Sequence, residues 1–235
     1  MTQTQPTAPE SDSANRPAKS RIDLSRHLME LAHAPELARF DWEGLFGNPH
    51  PVEFEIGSGK GLFLANVAAT KPTHNFLGIE VSRKYAEHAA LRLAKRSLTN
   101  ARIIHGEARA ILERAIPDQG LAAVHVYFPD PWWKTRHRKR RLVDSWLLDQ
   151  VERTLKPHGE IHFATDVSAY FTVIERLMET RARFHRVPWM SPVDPELSAD
   201  GLTNFDRKYR AQGRSIHLAR YVFTNGDGGA DATSS

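Results

Sequence analysis

The sequence predicts an α/β fold: a doubly wound, mostly parallel seven-stranded sheet whose last strand runs antiparallel. Three observations carry that expectation. Short apolar runs rich in β-formers alternate with segments of helical period through most of the chain. The first of these runs leads straight into a glycine-rich turn, the connection that opens a helix in open parallel sheets. The last two runs are joined instead by a long connection, Pro188–Ser215, without a strong helical pattern, so the sheet is expected to end in an antiparallel, hairpin-like pair.

Taken in order, the pattern predicts strands over Val52–Ile56, Asn75–Val81, Ala101–His105, Ala122–Phe128, Glu160–Thr165, Phe184–Val187 and Ile216–Phe223. Arg83–Leu98 places Ala86, Ala90, Leu93 and Ala94 at helical spacing, with Ser82 available as N-cap. Leu142, Trp146, Leu147 and Val151 repeat the pattern, and Tyr170 and Phe171 read as the core side of a further helix. The run AAVHVYF is predominantly apolar and belongs at the centre of the sheet. A structureless connection as long as Pro188–Ser215 is usually functional. Residues 1–20 and 225–235 are polar, small or proline-rich and are expected to be disordered tails around a single domain at 21–224.

Composition excludes several classes. The 235 residues are 40% hydrophobic and 26% charged, as in an ordinary globular protein. With no cysteine there is no disulfide framework, thiolate metal site or cysteine nucleophile. No apolar run approaches the ~20 residues that span a bilayer. The first twenty residues lack the apolar core of a secretory signal, so a cytoplasmic location is expected. His158 and His162 stand four apart, but Pro157 and Gly159 make the stretch turn-to-strand, and no metal is expected.

The net charge of +4 is unevenly placed. Lys134–Arg141, KTRHRKRR, holds six basic residues and no acidic one, which leaves 26 basic against 28 acidic residues elsewhere. Such a density suits a polyanion, and nucleic acid in particular, better than a solvated face.

The glycine turn is EIGSGKG, Glu55 to Gly61. Gly57, Gly59 and Gly61 allow a tight turn and close approach of a ligand, but the third glycine comes one residue too early for a dinucleotide fingerprint. Glu55 at the strand end suits a cationic ammonium or sulfonium better than a pyrophosphate, which favours S-adenosylmethionine over NAD. Glu80 ends the second strand 23 residues after Gly57, where a carboxylate can accept from both ribose hydroxyls. The alternative is a turn that only packs helix against sheet, with Glu80 a solvated strand end. Glu107, in GEA at the end of the third strand, is placed to meet an adenine amino group, or is a surface glutamate at a helix start. The fourth strand ends in PDPWWK, where Asp130 is bracketed by prolines and followed by Trp132 and Trp133. Tryptophans offer a base a stacking surface, and an aspartate accepts from guanine N–H groups.

The segment FPDPWWKTRHRKRR, joined to EIGSGKG upstream, resembles the bacterial tRNA (guanine-N7)-methyltransferase family, and the resemblance extends through GIE at Gly78 to Glu80, ATD at Ala164 to Asp166 and TNFDRKY at Thr203 to Tyr209. It implies a Rossmann-like methyltransferase fold and transfer of a methyl group from S-adenosylmethionine to N7 of a guanine in tRNA, at variable-loop position 46. Carried over residue by residue, Glu55, Gly57, Gly59, Gly61, Glu80, Glu107 and Asp130 would hold the cofactor, with Asp130 also catalytic. Lys134, Asp166, Thr203, Asn204, Phe205 and Asp206 would contact the tRNA. Two positions depart by one methylene: the family commonly has Asp at Glu107 and Glu at Asp206. The competing readings are a methyltransferase acting on another RNA or a small basic metabolite, and a non-catalytic RNA-binding subunit on the same scaffold. The second should lack the intact set of cofactor residues present here.

Overall fold

A computed structural model of the chain describes residues 22–30, 38–132, 136, 141–193 and 202–224. The expected tails at 1–20 and 225–235 lie outside these residues. The elements in chain order are β1 (Leu28–Glu30), α1 (Trp42–Phe46), β2 (Val52–Ile56), α2 (Leu62–Thr70), β3 (Asn75–Glu80), α3 (Arg83–Lys95), β4 (Ala101–His105), α4 (Ala108–Arg114), β5 (Leu121–Tyr127), α5 (Ser145–Thr154), β6 (Leu155–Thr165), α6 (Ser168–Glu179), β7 (Phe184–Val187), α7 (Asn204–Ala211) and β8 (His217–Phe223). No helix among the described residues is long and apolar enough to cross a membrane.

The strands form one sheet in the order β1-β4-β3-β2-β5-β6-β8-β7. All seven expected strands are present, and β8 runs antiparallel to both β6 and β7. The eighth strand, β1, adds in parallel outside β4, with Leu28 opposite Ile103. The buried His27 fastens it there, within 3.2 Å of the Ala101 carbonyl.

Successive side chains of a strand point to opposite faces, and the two faces are filled differently. Val52, Phe54 and Ile56 of β2, Val124 and Val126 of β5, and Ile161 and Phe163 of β6 join α4, α5 and α6 in one apolar layer. The alternate residues face α2 and α3 and include Glu53, Glu55, His125 and His162, all buried. An apolar sheet with acids and histidines on every second position of its central strands spends one face on stability and reserves the other for polar work.

Two expectations change. Residues 188–215 are not structureless, because α7 forms at their C-terminal end: Thr203 caps it by accepting from the Asp206 N–H at 3.1 Å. The expected strand from Glu160 begins at Leu155 instead. Leu121 pairs with Leu155 but Ala123 already with Glu160, so residues 156–159 bulge out of the ladder, with His158 at φ 63°. The proline and glycine signals predicted a break, and the strand accommodates it as a bulge.

Candidate active site

The turn after β2 is set by hydrogen bonds to the end of β3. Gly57 and Ser58 N–H both donate to the Ile79 carbonyl, at 2.9 and 3.0 Å. Glu80 then grips the turn with both carboxylate oxygens, one accepting from Gly59 N–H at 2.9 Å and the other from Ser82 N–H at 2.8 Å. Gly59 and Gly61 have φ 53° and 68°, in the left-handed region, for different purposes. A Cβ on Gly61 would stand 2.7 Å from that of Ala89, so Gly61 serves the packing of α2 against α3. A Cβ on Gly59 would meet nothing, because its open side is a cavity.

That cavity, about 370 Å³, lies beyond the carboxyl ends of the parallel strands. Its walls are Gly57 and Gly59 of the turn, Glu80, Val81 and Tyr85 from the β3–α3 corner, and Gly106 to Ala108 at the start of α4. Tyr127 to Asp130 and Trp132 close it from β5, with Leu142 and Phe205. The volume and the mixture of apolar wall with few carboxylates suit a medium-sized organic ligand carrying hydroxyls and positive charge. Of the expected cofactor residues, Gly57, Gly59, Glu80, Glu107 and Asp130 line this space, and Gly61 turns away from it toward α3.

Glu55 sits just beneath. It is buried, its Oε2 has no hydrogen-bond partner among the described residues, and burial reinforced by the neighbouring Glu80 charge raises its pKa to about 8 against the opposing Ser58 hydroxyl. An orphaned buried carboxylate is costly. A cationic group at the adjoining turn would relieve it, so the donor set fits S-adenosylmethionine.

Asp130 is exposed on the cavity wall, between Pro129 and Pro131. The backbone on either side is strained, with Phe128 at φ 50° and Trp132 at φ 41°. Each such residue costs ~1–3 kcal/mol, which the surroundings must hold in place. Phe128 N–H donates to the Ala164 carbonyl at 2.7 Å, and Arg141 Nε, where the chain returns, donates to the Pro131 carbonyl at 2.9 Å. Phe128 also joins Phe205 and Tyr209 in an aromatic cluster with ring centroids 5.7 to 6.3 Å apart. Arg214 packs over Tyr209 at 4.7 Å and pairs with Asp166 at 2.6 Å.

The residues expected to meet tRNA are therefore split. Asp166, Asn204 and Phe205 stand around this cluster, and Phe205 reaches the cavity. Asp206 is buried, accepting from Leu202 N–H at 2.7 Å and Arg210 Nε at 2.7 Å, and with Thr203 it completes the cap of α7. Lys134, Trp133 and the greater part of the basic run lie outside the described residues; Arg136 and Arg141 are within them.

Sequence reasoning missed three features. Tyr85 and Arg214 carry no pattern that would mark them. Glu53, His125 and Tyr127 form a buried hydrogen-bonded chain that leads from the amino ends of the strands toward the cofactor cavity, and their signal was readable: polar residues at alternate positions of VEFEI and AAVHVY. Burial, partly offset by Glu53, lowers the His125 pKa to about 4, so the ring is neutral. Its single N–H must face the acceptor-only Glu53 carboxylate at 2.8 Å, which leaves Nδ1 to accept from the Tyr127 hydroxyl at 2.9 Å.

Comparison with known proteins agrees with this geometry. A protein-family model described as a putative methyltransferase matches residues 49–219. A tRNA (guanine-N(7)-)-methyltransferase from Rhodopirellula baltica is 40% identical over 216 residues, covering 88% of this chain and 78% of its own. One of the same description from Syntrophotalea carbinolica is 37% identical over 206 residues, covering 84% and 88%. Among solved structures, the 16S rRNA methyltransferase KamB superposes with a TM-score of 0.57 at 16% identity, over 78% of this chain and 93% of that one. An aminoglycoside resistance methyltransferase gives 0.54 at 21%, over 77% and 91%. These two establish the fold, and the sequence relatives establish the rest: the chain belongs to the tRNA (guanine-N7)-methyltransferase family.

Proposed function

We propose that this protein transfers the methyl group of S-adenosylmethionine to N7 of a guanine in tRNA, at variable-loop position 46, in the cytoplasm. The observation that carries the reading is Asp130, held by strained backbone where the cofactor cavity meets an aromatic cluster that offers a base an exposed face at Phe205. When bound, S-adenosylmethionine supplies an electrophilic methyl on a sulfonium. Guanine N7 offers an sp² lone pair and no proton, so the N–C bond forms as the C–S bond breaks and no proton has to move. What the protein must supply is alignment and charge.

Glu55 receives the ammonium end of the cofactor. Glu80 keeps lone pairs for the ribose hydroxyls beyond the two it spends on Gly59 and Ser82, since an ionised carboxylate offers about four acceptor sites. Glu107 and the neighbouring amides at the start of α4 face the adenine. Asp130 orients the guanine and stabilises the positive charge that the purine acquires on methylation. Phe205 stacks on the base, Asp166, Asn204 and Lys134 bind the surrounding RNA, and the basic run holds phosphates, which position the substrate without reading its sequence. Thr203 and Asp206 act through the cap that fixes Phe205. Gly61 contributes by seating α2.

The test is to incubate the protein with labelled S-adenosylmethionine and unmodified tRNA and to identify the methylated nucleoside, for the native chain and for Asp130→Asn. The variant keeps the shape and loses the anion, so single-turnover rate is expected to fall ~100–1,000-fold, much further than cofactor affinity. Near-native turnover would overturn the role of Asp130.

A further inference from the structure

The outer face of α3 carries a second, differently built surface. Lys60, His88, Arg92, Lys95 and Arg96 line a groove of about 410 Å³ with Leu91 between them, and no carboxylate borders it. Elsewhere among the described residues several arginines are ion-paired: nearer the start of the same helix Arg83 reaches both Glu87 and Glu30. The groove cations are not paired with any carboxylate among the described residues. Arg92 Nε donates to the Lys60 carbonyl at 3.1 Å, Arg96 donates to the Asn66 side chain at 2.9 Å, and Lys60 lies over the Tyr85 ring. Burial, then the charges of Arg207 on α7 and of Arg96, lower the Arg92 pKa. Arg92, Lys95 and Arg96 with Lys60 thus gather like charges around one groove, an arrangement that is unfavourable until an anion enters it.

The groove adjoins the active site along the chain and along α3. Lys60 sits between Gly59, which lines the cofactor cavity, and Gly61. Tyr85 lines that cavity, and His88, Arg92 and Lys95 follow on the same helical face. At 1.5 Å per residue the stripe runs roughly 15 Å from the cavity rim. Forked guanidiniums suit phosphate oxygens, which they bind two at a time.

We propose that this groove is a second tRNA-backbone site, taking the phosphates of the strand that leads away from the target guanine on the α3 side of the active site. It uses residues other than those of the Lys134–Arg141 segment and rests on the reading of the chain as a tRNA methyltransferase.

The experiment compares native protein with Arg92→Gln/Lys95→Gln/Arg96→Gln. It measures tRNA affinity across a salt series, methyl transfer at varied tRNA and cofactor affinity. Because Arg92 and Arg96 also hold neighbouring backbone and side chains, Lys95→Glu is measured in parallel; this exposed residue has no partner to lose among the described residues. The triple variant is expected to raise the KM for tRNA at least tenfold, and to flatten the plot of log affinity against log salt by ~0.7–0.9 for each lost phosphate contact. The rate at saturating tRNA and the cofactor affinity should hold. Lys95→Glu should move KM and affinity the same way. If the native protein methylates tRNA and both variants keep its affinity and salt slope, the groove assignment is overturned while the function stands. If the native protein transfers no methyl group to tRNA but the variants still lose RNA affinity with a shallower slope, the function fails and the groove remains an RNA site.

Discussion

Glu53 and Glu55 leave β2 on the same face, two residues and roughly 7 Å apart, and both are buried. They belong to opposite ends of the sheet. At the amino ends of the strands, Glu53 is met by His125 at 2.8 Å, His74 at 2.8 Å and Lys71 at 3.3 Å. Burial works to raise its pKa, but those partners outweigh it and hold it well below the usual carboxylate range. Glu160, beside the same amino-end cavity, is likewise paired with His162 and Arg220, and its pKa is lowered to about 2 despite burial. At the carboxyl ends, Glu55 has no counter-charge and its pKa rises to about 8. The cavities at the two ends are almost equal, about 380 and 370 Å³. Size therefore does not tell the working end from the structural one. What distinguishes them is whether the buried carboxylate already has its partners.

The largest effect should come from breaking the paired end. Glu53→Ala strips His125, His74 and Lys71 of their common acceptor and is expected to cost ~3–5 kcal/mol in urea unfolding. Glu55→Gln, measured the same way, should cost little, because only the Ser58 hydroxyl meets this carboxyl group, its Oε2 has no partner to lose, and the substitution removes a group that is costly to ionise there. If the two substitutions cost the same, the contrast between the two ends is wrong.

A smaller effect sharpens the contrast through pH. The folded-state pKa of Glu55 is raised, so between about pH 4.5 and 8 the folded protein holds a proton that the unfolded chain has released. Stability of the cofactor-free protein should therefore fall as pH rises through that window, by up to ~1.4 kcal/mol per unit. Cofactor binding favours the ionised form and should release this proton. Affinity for S-adenosylmethionine is then expected to rise up to ~10-fold per pH unit and level off near pH 8, read by calorimetry in buffers of different ionisation enthalpy. Glu55→Gln should abolish both slopes. For Glu160 the sign is reversed: its stabilisation is present above pH 4.5 and is lost as pH falls toward 2.

The smallest effect concerns another fully paired carboxylate, Asp206. Thr203→Ala removes one acceptor at the start of α7 and should cost ~1 kcal/mol in thermal or urea unfolding. The KM for tRNA should rise with it if the cap positions Phe205, and an unchanged KM would separate α7 from the substrate.

The strands around the active site were legible because each is a short β-rich run with a turn signal at its end, and the cofactor corner because glycines and acids fall at strand ends at fixed spacing. What escaped has physical causes. β1 is three residues long, too short for any period to show. The helix α7, NFDRKYRA, is polar nearly all round and buries only Asp206, so no apolar stripe announces it; its cap is the one local signal. The pairing of Glu53 with His125 joins residues 72 apart, and no local pattern encodes a partner at that distance. The same holds for Gly61, whose role is set by Ala89 on another helix.

The two ends of the strand order have a consequence for how the protein behaves among other copies of itself. An open sheet exposes a row of unpaired N–H and C=O groups along each border, a template on which a further chain can grow. Here the borders are β1 and β7, three and four residues long, the first ending in Glu30 and the second presenting His185 and Arg186 outward. Without β1 the border would be β4, whose Ile103 and Ile104 form a stickier edge. The short first strand, which does not line the cofactor cavity, thus works as a guard rail against cross-β association.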